Sequence, residues 1–233
     1  MLATVSHPVV PAIRAALAAS GDPGRAAAQQ AYMKSAMPYR GISAPQLKAV
    51  LRPLLASPDN LVTDRDEWEG AVHELWDGAT HREERYAATA LSGYRAYRAW
   101  QDADTLPLYR HLITTGAWWD HVDELASRRV GPILLSHKEE VAPVVREWAS
   151  DEDLWLRRTA ILSQLTFKDR TDLDLLAHAI EANLGDTSSW IRKAIGWALR
   201  QHARTDPDWV RGTVAAYGGR LSGLSRREAL RHL

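Results

Sequence analysis

The residue types best suited to chemistry lie in Ala117-Trp118-Trp119-Asp120-His121-Val122-Asp123-Glu124-Leu125. On a helix, Trp118, Val122 and Leu125 share one apolar stripe at i, i+4, i+7, so Trp118 is expected in the core. At about 100° per residue, Trp119 turns roughly 100° from Trp118, and Asp123 lies about 40° beyond Trp119. Trp119 and Asp123 thus form an indole–carboxylate pair at the edge of the core. An indole face attracts a cation, and a carboxylate held close stabilises positive charge as it develops. A Trp half-buried between helices above a solvated Asp gives the same pattern, so the pair alone leaves both readings open.

A second concentration falls in the helix predicted from Ser189. Ile191, Ala194, Ile195, Ala198 and Leu199 gather in one core-facing arc, and Lys193, Trp197, Arg200 and Arg204 gather opposite them. Trp197 is therefore presented away from the core among three cations. Leaving such a ring in water forfeits about 1.5–3 kcal/mol of burial, which points to a partner that covers it. Cations interleaved with an aromatic suit nucleic acid, with charges for phosphates and an indole for sugar or base. Packing of Trp197 on a neighbouring helix is the alternative. Arg158 shares an arc with Trp155, Ile161 and Leu162, and fits an internal arginine or a surface contact equally well.

Helix formers dominate and β-branched runs are absent, so the chain reads as all-α. The pattern predicts helices over His7–Ser20 and Arg25–Ala36, and a third capped by Ser43-Ala44-Pro45 that Pro53 bends or shortens. Further helices are expected over Asp64–Asp77, His81–Trp100, Asp102–Thr115, Trp118–Ser136, Glu139–Ala149, Leu154–Phe167, Leu173–Leu184, Ser189–His202, Pro207–Tyr217 and Ser225–His232. Connections are short, so residues 1–233 read as one domain. Asp151-Glu-Asp-Leu-Trp155-Leu-Arg157-Arg158-Thr-Ala160 parallels Asp186-Thr-Ser-Ser-Trp190-Ile-Arg192-Lys193-Ala194, and Trp119 stands one similar interval before Trp155. Such recurrence suggests HEAT-like helix pairs stacked into a curved solenoid with a concave face.

Composition narrows the chemistry. Ten Trp against one Phe favours half-buried stacking surfaces, and the lack of any Cys removes disulfides, thiolate metal sites and cysteine nucleophiles. No apolar run approaches a membrane span and no export signal is read, so a soluble cytoplasmic protein is expected. The formal net charge of zero hides an asymmetry: Thr187–Leu233 holds nine basic residues and three acids, whereas acids concentrate in Asp64–Glu84. One end suits phosphates, and the opposite side is expected to stay acidic. No phosphate-binding Gly-Lys-Ser/Thr loop, Gly-x-Ser-x-Gly elbow or His-Glu-x-x-His is present, and the nine His lack ligand spacing. Chemistry, if any, falls to a carboxylate and aromatics.

Five segments in order resemble the AlkD family of DNA alkylpurine glycosylases: Ala31-Tyr32-Met33-Lys34, Trp118-Trp119-Asp120-His-Val-Asp123, Trp155-Leu-x-Arg158-x-Ala160-Ile-Leu, Lys193-Ala-Ile-Gly-Trp197-x-Leu-Arg200, and Leu224-Ser-Arg226-Arg227-Glu-Ala. The resemblance spans nearly the whole chain. It implies an arch of HEAT-like repeats that holds duplex DNA in its concave face as a monomer. The reaction it implies is excision of cationic N3- and N7-alkylated purines from bacterial chromosomal DNA, without metal or cofactor. Carried over by position, it makes Asp123 the catalytic carboxylate, with Trp119 and Trp197 flanking the deoxyribose. Arg158, Arg200, Lys193 and Arg204 fall among the DNA contacts, with Tyr32 a further one. It also implies that the base stays in the duplex rather than entering a pocket, so bulky adducts are tolerated and uncharged lesions such as uracil are poor substrates. A non-catalytic helical-repeat DNA binder is the alternative. A scaffold whose groove takes an acidic peptide would explain the cations but leave Trp119 and Asp123 without a role.

Overall fold

A computed structural model describes residues 6–233, and the N-terminal stretch in which no export signal is read begins outside them. The described residues form helices and no strands, in two compact units that divide after Trp100.

The first unit contains α1 (Val9–Ala19), α2 (Pro23–Met33), α3 (Ala44–Ala56), α4 (Arg65–Asp77) and α5 (Arg82–Ser92). Asp22 and Asp64 start α2 and α4 by accepting hydrogen bonds from backbone N–H groups of the first turn. α3 runs through Pro53 to Ala56, so the proline does not shorten it. The helix expected over His81–Trp100 stops at Ser92 before Gly93, and a 3₁₀ turn, Arg95–Trp100, follows. That turn folds Tyr97 into the core, where its ring lies 5.9 Å from Trp68 and stacks on Trp100 at 5.3 Å.

The acids at the start of α5 are not an acidic surface. Glu83 is fully buried and accepts from the backbone N–H groups of Arg40, Gly41 and Ile42 at 2.9–3.1 Å. The loop can wrap the carboxylate because Gly41 takes φ +85°, which side chains rarely adopt. Burial would raise the carboxyl of Glu84, but hydrogen bonds from Arg40 and Thr80 outweigh it and hold the group below the ordinary carboxylate range.

The second unit contains α6 (Leu106–Gly116), α7 (Trp119–Leu125), α8 (Gly131–Ser136), α9 (Lys138–Trp148), α10 (Leu154–Leu162), α11 (Leu173–Glu181), α12 (Ser189–His202), α13 (Pro207–Tyr217) and α14 (Gly223–Ala229). A five-residue π turn, Ala126–Val130, joins α7 to α8 where one helix is expected. α10 ends at Leu162, short of the expected Phe167. α7, α10 and α12 pack side by side in that order.

The repeated Asp-aromatic-Arg pattern has a physical basis. Arg157 donates to the carbonyl of Asp151 at 2.7 Å, and Arg192 donates to the carbonyl of Asp186 at 2.8 Å, so each arginine clamps the loop that opens its own helix. Arg157 also reaches the Asp186 carboxylate at 3.0 Å, tying one loop to the next. Asp153 and Ser188 cap α10 and α12, which places Trp155 and Trp190 at the same helical position.

Candidate active site

α6 ends on Ala117 in the left-handed region, φ 40°, and the chain re-enters a helix after Trp118. Trp118 is the N-cap of α7, with extended φ −152° and ψ 146°. It therefore lies off the helical stripe and is half-buried rather than in the core, which corrects the expectation for it. Val122 and Leu125 are fully buried as expected. Trp119 and Asp123, four residues apart on one face of α7, are both half-buried.

Asp123 has a fixed partner. Arg158 on α10 donates from Nε to Asp123 Oδ1 at 2.7 Å and from Nη2 to Oδ2 at 2.9 Å. Its Nη1 donates to the carbonyl of Trp190 at 2.5 Å. The two-pronged pair locks the carboxylate plane, and each oxygen keeps lone-pair capacity for another donor. Arg158 is 4% exposed, an internal arginine whose guanidinium is engaged by Asp123 and the Trp190 carbonyl. The Asp123 side chain remains 15% exposed. Burial pushes its carboxyl above the ordinary carboxylate range against the pull of Arg158, and the neighbouring Asp120 charge adds to the rise.

The half-buried indoles form a cluster beside this pair. Trp118, Trp155 and Trp190 have ring centroids 5.4–6.3 Å apart. Arg158 and Lys193 both lie about 6 Å from the Trp190 ring, within cation–π reach. Sequence reasoning placed Trp190 only as a repeat marker. Its position seven residues before Trp197, hence on the same face of α12, was the available signal.

α12 carries the arc expected of it. Ile191, Ala194, Ile195, Ala198 and Leu199 are all buried, Trp197 is half-buried, and Lys193 and Arg204 are exposed. Arg200 is half-buried and ion-paired to Glu228 of α14, a partner the sequence did not reveal. Tyr32, in the first unit, is 78% exposed. The structure thus joins Asp123, Arg158 and Trp190 directly and sets Lys193, Trp197 and Arg200 along the adjacent α12, while Arg204, expected on that helix, lies in the turn just past its end.

The family model for DNA alkylation repair enzymes matches residues 13–233. This chain belongs to that family. It is also similar to a solved structure described as a predicted DNA alkylation repair enzyme from Enterococcus faecalis. The two chains are 30% identical with a TM-score of 0.76, over 92% of this chain and 97% of that one. No curated protein matches. Membership in the DNA alkylation repair family supports a role in DNA repair. No helix among the described residues is long and apolar enough to cross a membrane.

Proposed function

We propose that this member of the DNA alkylation repair family is a monofunctional glycosylase. Its reaction is hydrolysis of the N-glycosidic bond of cationic N3- and N7-alkylated purines in duplex DNA. The observation that carries the reading is Asp123, the carboxylate that a buried arginine holds rigidly while part of it stays accessible.

Alkylation gives the purine a positive charge. When the bond from the sugar C1′ to the base nitrogen breaks, the electron pair stays with the base, which leaves neutral. No strong acid is required; the barrier is the oxocarbenium-like sugar and the arrival of water. Asp123 stabilises that cation electrostatically and orients the water that adds to C1′. It also accepts the proton the water loses, a task that a carboxyl raised by burial performs better than an ordinary one. Trp119 and Trp197 flank the deoxyribose, and each indole face adds up to about 2 kcal/mol of attraction for the sugar cation when desolvated. Lys193 and Arg204 hold phosphates, with Arg200 beside them and Tyr32 a further contact.

The test is release of 7-methylguanine and 3-methyladenine from alkylated duplex, measured by mass spectrometry beside a uracil-containing duplex. Release of the alkylated bases and not of uracil is expected. DNA binding without release of either methylated base would refute the catalytic reading and leave a non-catalytic binder.

A further inference from the structure

The basic face of α12 holds an acid that the proposed chemistry does not use. Glu228 on α14 is ion-paired through Oε2 with Arg200 Nη1, and its other oxygen lies 4.0 Å from Arg231 Nη1. Packing keeps it there. A Cβ added at Gly196 would fall 2.5 Å from the Glu228 Cβ and 3.0 Å from the Ser225 carbonyl oxygen, so glycine is what lets α14 lie this close to α12. The Ser225 hydroxyl donates to the Arg192 carbonyl at 2.8 Å and fixes the same turn. These contacts hold the Glu228 backbone beside Arg200, so the most direct way for its carboxylate to leave the pair is a rotation of its own side chain. The pair is reachable from solvent, with side chains 24% and 31% exposed.

We propose that Glu228 sets the DNA affinity of this protein by competing with phosphate for Arg200. The inference rests on the DNA-binding reading of the α12 face. Arg200 tied to a carboxylate is electrically neutral as a unit, so an approaching phosphate releases no counterion there. Phosphate must exchange one charge-assisted bond for another, and the displaced Glu228 remains nearby as a repelling anion. Lys193 and Arg204 are exposed, and they carry the attraction instead.

The experiment measures binding of the full chain to an undamaged duplex by fluorescence anisotropy between 50 and 200 mM salt. Glu228→Gln keeps the size and loses the charge. It is expected to tighten binding about three- to tenfold and to steepen the slope of log K against log salt by about 0.9, one added counterion. Glu228→Asp keeps the charge but withdraws the carboxylate by one methylene, and a smaller gain is expected. It also serves if the Gln variant fails to fold. In an Arg200→Gln background, Glu228→Asp should give no gain.

Unchanged or weaker binding by Glu228→Gln overturns the proposal, as do equal gains with and without Arg200, which would mark a net-charge effect alone. Absence of binding by every protein, the Glu228 variants included, refutes the DNA reading and this inference with it. Binding by the wild type with no response to Glu228 refutes the inference only.

Discussion

Arg158→Met removes the charge that faces Asp123 and nearly preserves the volume. The pair is buried, with side chains 5% and 15% exposed and contacts of 2.7 and 2.9 Å. Breaking such a pair from one side costs about 3–5 kcal/mol, because the remaining charge is left uncompensated. The residual exposure of Asp123 places the expected loss at the lower end, about 3 kcal/mol. For a chain of this size that lowers Tm by about 6–12 °C.

The sign of the pH dependence follows from Asp123. Its folded carboxyl lies above the ordinary range through burial, so its contribution to stability is full at acidic pH and is lost as pH rises through the folded value. Without Arg158 that loss grows, so the deficit of the variant should be larger at pH 7.5 than at pH 5. Asp123→Asn added to Arg158→Met removes the stranded charge and should recover about 1–3 kcal/mol. Urea denaturation of the wild type, both single variants and the double variant at the two pH values provides the cycle. Additive losses, or a deficit that does not narrow in acid, would refute the view that Arg158 compensates Asp123.

Three further outcomes are expected. The proposed mechanism needs Asp123 ionised, so the rate of base release should fall as pH drops through a value above the ordinary carboxylate range; a profile flat to pH 4 would contradict this. Lys193→Ala removes an exposed cation beside Trp190 and should reduce the salt slope of DNA binding by about 0.9, whereas an unchanged slope would remove Lys193 from the interface. Gly196→Ala places a methyl group against Glu228 and Ser225 and should cost about 1–3 kcal/mol in thermal or urea unfolding; wild-type stability would show that α14 has room to move.

The parts of the fold that the sequence made legible are regular and one-faced. α12 is fourteen residues with a cap at its start, and all five residues assigned to its core arc are buried. Trp118 was misplaced because a helical projection assumes helical backbone, and an N-cap residue is extended. That change also brings Trp118, rather than Trp119, against Trp155 and Trp190, which a register counted from spacing alone could not detect. Arg158 stayed ambiguous because an angle on a wheel does not reveal a partner thirty-five residues away. Glu228 was hidden for the same reason, since its pairing with Arg200 depends on how closely α14 approaches Gly196. Acid counts over Asp64–Glu84 suggested a charged surface because composition cannot tell a solvated acid from one wrapped by backbone N–H groups, as Glu83 is.

The most direct measurement compares the single-turnover rate of 7-methylguanine release by the wild type and by Asp123→Asn, with duplex affinity determined for both. Loss of the carboxylate charge beside a sugar cation should slow release by at least about tenfold, at least 1.4 kcal/mol in the barrier, with affinity unchanged or slightly higher. Equal rates from the two proteins would contradict the assignment of Asp123.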